Sequence, residues 1–169
     1  MSTIAQSIIE SPADGRTDLV GMSRAELATL FESLGLPQFR VKQVWHWIYH
    51  HGSRDFTEMT TISKDMQRQM AELFVISRPS IATEQTSTDR TRKWLMKFGD
   101  GKMAEAVHIP DNDRGAVCMS AQVGCTLTCK FCHTGTQRMV RNLTPAEIVG
   151  QFMLARDSYG EWPSSKEPR

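Results

Sequence analysis

The stretch Cys125-Thr126-Leu127-Thr128-Cys129-Lys130-Phe131-Cys132 decides how the rest of the chain is read. Three cysteines at C-x3-C-x2-C spacing can all reach one small object from a single loop. A [4Fe–4S] cube is such an object, since cysteine thiolates are its usual protein ligands. Three ligands leave one iron without a protein partner, and an open position is where a metal centre does chemistry. Two other readings of the same residues stand beside it. Cys129 and Cys132 fit a zinc knuckle, which His133 or Cys118 would complete as a tetrahedral set. Four cysteines could also form two structural disulfides, a reading disfavoured by the tight spacing and by the lack of a secretory signal.

Upstream of the loop, Ala116 to Ser120 reads as a strand that carries Cys118 straight into it. Downstream come Gly135, Thr136 and Gln137, then the basic residues Arg138 and Arg141. Thr144-Pro145-Ala146-Glu147 is a capping box with proline at the first helical position. Ile148, Val149, Phe152, Met153 and Ala155 give the helix an apolar side. The order strand, cysteine loop, helix reads as the first unit of a β/α barrel, with its site at the strand's carboxyl end.

Further upstream the pattern has period two. Trp94, Met96 and Phe98 point one way, Leu95 and Lys97 the other. Gly99-Asp100-Gly101 is a hairpin turn by composition, and Lys102 to Ile109 returns as a strand. Glu105 shares a face there with Met103, Val107 and Ile109. Burial on that face would disfavour its charged form and suit it to accept or donate a proton. If the face is open, Glu105 is simply solvated. Pro110 to Asp113 is a loop.

The amino-terminal part is helical. Ser23-Arg24-Ala25-Glu26 is another capping box, followed by Leu27, Leu30, Phe31 and Leu34 on one helical face. Gly35 and Pro37 end that helix. A second helix beginning near Gln38 or Phe39 carries Val41, Val44, Trp45, Ile48 and Tyr49 inward, with Trp47 off the stripe. Arg40, Lys42, His46, His50 and His51 decorate the rest. A third helix starts at Ser63 and turns Met66, Met70, Leu73 and Phe74 inward. Such a bundle is either a packing domain or an RNA-gripping module.

Lys plus Arg is 20 and Asp plus Glu is 19, so net charge implies no partner. A hydrophobic content of 40% is ordinary for a globular chain, and no apolar run approaches membrane-spanning length. Met1 to Leu19 reads as a mobile tail, not a signal peptide, which makes reduced thiols in the cytoplasm the default. The fold class is α/β: a flexible tail over 1–20, a helical domain over 21–79, a β-hairpin connector over 80–113, and the start of a barrel core over 114–169.

The cysteine spacing resembles that of the radical S-adenosylmethionine (SAM) enzymes. The run Val117 to Cys125, with Cys129, Phe131, Cys132 and Arg141-Asn142-Leu143-Thr144, resembles the RlmN/Cfr family within that superfamily. Phe39 to Trp45 and Lys93-Trp94 resemble its helical domain and first hairpin, so the likeness covers about residues 21 to 160. The resemblance implies a methyltransferase acting on adenine C2 in 23S rRNA and tRNA. It implies Cys125, Cys129 and Cys132 as ligands of a [4Fe–4S] cluster that binds SAM, and an electron donor such as flavodoxin. It implies Glu105 as proton acceptor, since C2 must lose its hydrogen as a proton. Cys118 matches a cysteine that resolves a covalent RNA–protein adduct through a transient disulfide. A plain buried cysteine is the alternative reading of Cys118.

The chain ends at Arg169, too soon after Cys132 for the further βα units of a barrel, each of about 30 residues. The family's methyl-carrying cysteine has no counterpart here. The expectation is therefore an amino-terminal fragment whose parent is the methyltransferase, and which is inactive by itself. A non-catalytic RNA-binding or cluster-carrying fragment and a zinc-stabilised RNA-binding module are the other two functions in play.

Overall fold

The structure is a computed structural model that describes residues 15–112, 114–127, 129–131 and 133–163. Two compact units divide the chain: one up to Ser77 together with the residues from Arg156 onward, the other Arg78–Ala155.

In the first unit, α1 (Arg24–Ser33) starts where the sequence places it. The Ser23 hydroxyl accepts from the Glu26 N–H at 3.2 Å, and Glu26 reaches back to the Ser23 N–H at 2.7 Å. Those hydrogen bonds hold the Glu26 carboxyl below its ordinary pKa, the backbone one having the larger effect. Leu27 and Phe31 are buried, while Leu34 at the helix end is exposed. Helix α2 (Phe39–Tyr49) buries Val41, Val44 and Ile48, one apolar stripe at helical spacing. Trp47 lies off that stripe and donates its indole N–H to the Thr61 hydroxyl at 2.8 Å. Helix α3 (Lys64–Leu73) follows Ser63 and buries Met70; Phe74, just beyond it, stacks on Phe31 with ring centroids 5.9 Å apart. Buried Gln67 is satisfied by the Met59 and Ile62 carbonyls at 2.9 and 3.1 Å.

Two short strands close this unit. Strand β1 (Thr17–Asp18) runs parallel to β2 (Phe74–Val75), and Leu19 and Val20 are almost fully buried. Residues 17–20 therefore belong to the packed domain rather than to the tail expected over 1–20. Their apolar pair is too short to announce itself as a core element. The rest of that expected tail, up to residue 14, lies outside the described residues.

The second unit is built on one antiparallel sheet in the order β3 (Ser80–Thr86), β4 (Arg92–Lys97), β5 (Met103–Asp111), β6 (Arg114–Cys118). The expected hairpin is its centre: the Phe98 N–H donates to the Lys102 carbonyl at 2.9 Å around the Gly99–Gly101 turn. Trp94, Met96 and Phe98 are buried as the alternation requires. Two features differ from the sequence reading. The hairpin gains β3 on one side. On the other, β6 pairs antiparallel with β5, where the sequence reading makes it the strand of a barrel unit. Helix α4 (Pro145–Tyr159) is capped as expected, the Thr144 hydroxyl accepting from Glu147 N–H at 3.2 Å and Glu147 from Thr144 N–H at 2.8 Å. Its buried side carries Gly150, Gln151, Met153, Leu154 and Ala155; Phe152, expected inward, is exposed. Ile148 packs on a cluster of Phe98, Ala104, Val123 and Leu143. No helix among the described residues is long and apolar enough to cross a membrane.

Candidate active site: the cysteine loop and the open sheet face

The cysteine loop hangs between two short strands, β7 (Gln122–Val123) and β8 (Arg141–Asn142), paired antiparallel. Hydrogen bonds from Val140 N–H to the Val123 carbonyl (2.8 Å) and from Leu143 N–H to the Ala121 carbonyl (2.9 Å) clamp its ends. Inside the loop the Cys125 N–H reaches the Gln137 carbonyl at 3.2 Å. The Leu127 N–H points at Cys125 Sγ from 3.3 Å, a donor aimed at the sulfur, as thiolate ligands use. A 3-10 turn at His133–Thr136 closes beneath Cys129.

Two glycines make this path possible. Gly124 has φ of +77°, and a Cβ there would run into the Arg138 carbonyl. A Cβ on Gly135 would meet the Cys129 carbonyl oxygen at 2.8 Å and its nitrogen at 3.0 Å. The loop is thus wound tightly about its own backbone, with its cysteines half-buried at the edge: Cys125 and Cys129 are both partly exposed. Cys132, the third expected ligand, lies outside the described residues.

Side chains remote in sequence hold this loop to its unit. Gln151 is completely buried; its carbonyl accepts from the Ser120 N–H at 3.0 Å and its amide donates to the Ser120 carbonyl at 2.9 Å. That pair fixes the backbone at the end of β6. Arg141 makes a two-pronged contact with Glu147, Nη1 to Oε2 and Nη2 to Oε1 at 2.7 Å each, and donates Nε to Asp100 Oδ2 at 2.9 Å. One guanidinium thereby ties the hairpin turn, β8 and the first turn of α4. Its hydrogen bonds to Glu147 and then to Asp100 raise its pKa further, and the bond from Arg141 is the main cause of the lowered pKa of Asp100. Sequence reasoning missed both devices. A polar Gln151 within an apolar helix side is the one signal that could have found the first.

Glu105 and Cys118 meet on one face of the sheet. Val107 lies opposite Cys118, Leu95 opposite Glu105 and Lys93 opposite Val107, so Lys93, Leu95, Glu105, Val107 and Cys118 share a face. The buried face carries Trp94, Met96, Ala104 and Ala106 instead. Glu105 is therefore on the open side, about half-exposed and 3.4 Å from Lys93 Nζ; of the two sequence readings, the solvated one describes its surroundings. The Ser120 hydroxyl donates to the Glu105 carbonyl at 2.7 Å. Glu105 also lines an open cavity of about 480 Å³, whose other walls include Ser120, Gln122, Gly124, His133 and Gln137 of the cysteine-loop region.

One expectation needs correction. Cys118, Cys125 and Cys129 are free thiols, so the disulfide expected of Cys118 is not present among the described residues. The zinc reading needs Cys132, which lies outside the described residues; among the described residues, the one group of three possible metal ligands that lie close together is His46, His50 and His51.

Comparison with known proteins places these features in context. Residues 17–76 match the family model of the ribosomal RNA large subunit methyltransferase N-terminal domain. The dual-specificity RNA methyltransferase RlmN of Gluconobacter oxydans is 69% identical over 154 residues, 90% of this chain and 38% of the relative. That of Granulibacter bethesdensis is 63% identical over 155 residues, 90% of this chain and 39% of the relative. A crystal structure of a radical SAM methyltransferase from Sphaerobacter thermophilus superposes with a TM-score of 0.77 at 33% identity, covering 85% of this chain and 42% of that one. The chain thus spans about two-fifths of the length of these relatives.

Proposed function

We propose, because this chain belongs to the RlmN family of methyltransferases and matches its amino-terminal part, that it supplies the cluster-holding loop and a catalytic sheet face of a radical SAM enzyme. The substrate of that enzyme is an adenosine, in 23S rRNA and in tRNA, and the carbon methylated is C2. One observation carries the reading: Glu105 and the walls of the cysteine loop line the same cavity.

Cys125, Cys129 and Cys132 would hold a [4Fe–4S] cluster. The unpaired thiols of Cys125 and Cys129 and an amide aimed at Cys125 Sγ suit that donor set. When bound, the cluster and SAM supply the one-electron chemistry that activates a methyl group, with the electron arriving from an external donor of the flavodoxin kind. Glu105 Oε then takes the proton that adenine C2 must lose, and Lys93 orients the carboxylate from 3.4 Å. Cys118 presents an exposed thiol on the same face and acts as the second catalytic side chain. Keeping all these thiols reduced requires a cytoplasmic setting.

Anaerobic reconstitution with iron and sulfide tests the loop directly. The reduced chain should give a [4Fe–4S]⁺ EPR signal that Cys129→Ala abolishes. A chain that takes up one zinc and no iron, or a signal indifferent to Cys129→Ala, would overturn the reading. The chain by itself should form no C2-methyladenine, since it spans only about two-fifths of the length of its relatives.

A further inference from the structure

Three histidines of the first unit converge at the end of α2. His46 and His50 are one helical turn apart and so share a face, the spacing at which two histidines hold zinc on a helix. His50 is the C-cap, with φ of −103° and ψ of −44°, and this near-helical backbone brings His51 round beside the pair. The ring centroids are 4.4 Å apart for His46 and His50, 4.8 Å for His46 and His51, and 5.2 Å for His50 and His51. One ring nitrogen from each lies within 4.8 Å of the other two.

The geometry points to a divalent transition-metal site, with zinc as its ion, built from His46, His50 and His51. Nothing in it depends on the proposed methyltransferase activity.

Zinc–nitrogen bonds of about 2.0–2.1 Å place tetrahedral ligands roughly 3.3 Å apart, so the three rings must close by something over an ångström. His46 and His50 are exposed, and rotation about their side-chain bonds closes that distance without moving the helix. His51 Nδ1 lies 3.4 Å from the Pro163 carbonyl, which can only accept. The proton therefore sits on Nδ1, and Nε2 is left for the metal. Metal-binding histidines commonly fix their tautomer through such a carbonyl contact. The site also lies at the negative end of the α2 dipole, which favours a cation. Lys42, one turn before His46, opposes it, but across solvent at the surface, where salt screens the repulsion. Three imidazoles without a carboxylate select zinc, nickel or copper over magnesium and calcium, and leave a fourth position for water.

The test is a Zn²⁺ titration by calorimetry of the full chain carrying Cys125→Ser, Cys129→Ser and Cys132→Ser, which silences the cysteine loop. One equivalent should bind, and His50→Ala should weaken it at least tenfold; His46→Ala with His50→Ala should abolish it. In the same triple-serine chain with all five histidines kept, Zn²⁺ should protect His46, His50 and His51 from diethylpyrocarbonate and leave the exposed His133 reactive. The protection measurement needs no histidine variant, so a misfolded variant cannot obscure the answer. Undiminished zinc binding in the double variant, no binding at millimolar zinc, or protection spread evenly over the histidines would overturn the proposal.

Discussion

Arg141→Met should cost the second unit about 2–3 kcal/mol, a figure bracketed by two known limits. Removing one partner of a fully buried ion pair costs about 3–5 kcal/mol, because the other charge is left unpaired. A surface pair is worth about 0–1 kcal/mol. Here Glu147 has only 9% of its side chain exposed and Arg141 has 24%, so the pair lies nearer the buried limit. Glu147 keeps one partner, the Thr144 N–H at 2.8 Å, which lowers the loss. The Asp100 arm, with 34% of that carboxylate exposed, belongs at the surface limit. Methionine preserves most of the buried stem, so the change reads out the guanidinium rather than packing. Urea unfolding should be followed by far-UV circular dichroism for the chain, Arg141→Met, Glu147→Gln and the double variant. A coupling of about 2 kcal/mol is expected between the two single changes. It should persist largely undiminished in half-molar salt, since buried pairs are little screened. A loss below about 0.5 kcal/mol, or strict additivity in the cycle, would refute the reasoning and reduce the contact to a surface ion pair.

Other outcomes follow from the same geometry. Gly124→Ala places a Cβ against the Arg138 carbonyl at positive φ; it should cost more than ~1 kcal/mol and cut iron incorporation severalfold, measured as iron per chain after reconstitution. Under the proposed function, Glu105→Gln in a chain of the relatives' full length should lower methyl transfer at least a hundredfold, within the roughly 10²–10⁴ range of proton-transfer catalysis, while the EPR signal of the reconstituted chain stays unchanged. Asp100 has a lowered pKa, chiefly through its hydrogen bond from Arg141, so its contribution to stability is present above its unfolded value of 3.8 and lost as pH falls through the folded value. An acid titration of stability should lose that component in Arg141→Met.

Local devices were legible in the sequence. The capping boxes at Ser23 and Thr144, the turn at Gly99 to Gly101 and the alternation of Trp94, Met96 and Phe98 each depend on neighbours within a few residues. The cysteine spacing was legible because its residues lie close together along the chain. What escaped depends on partners that spacing does not reveal. Strand β3 is exposed along its whole length and mixes Thr, Glu and Gln with single apolar residues, so it has no apolar face to read. The face occupied by Glu105 was undecided because Met103, Val107 and Ile109 match a buried side in type; two small alanines, Ala104 and Ala106, hold that place instead. Gln151 and Arg141 act on residues 31 and 41 positions away.

The irregular outer strand of the sheet has a bearing on how the protein behaves in concentrated solution. Pairing between β3 and β4 slips at Ile81 to Thr83, where a residue bulges out, and Glu84 further along is tied to Arg92. A flat outer strand offers its unused amides as a template on which another molecule can lay its own. The bulge bends that template and the carboxylate charges it, so two copies brought together cannot zip edge to edge. Straightening it by deleting Ala82 would leave each sheet more regular and the solution more prone to fibres. The irregularity thus protects a cysteine-bearing domain from clumping.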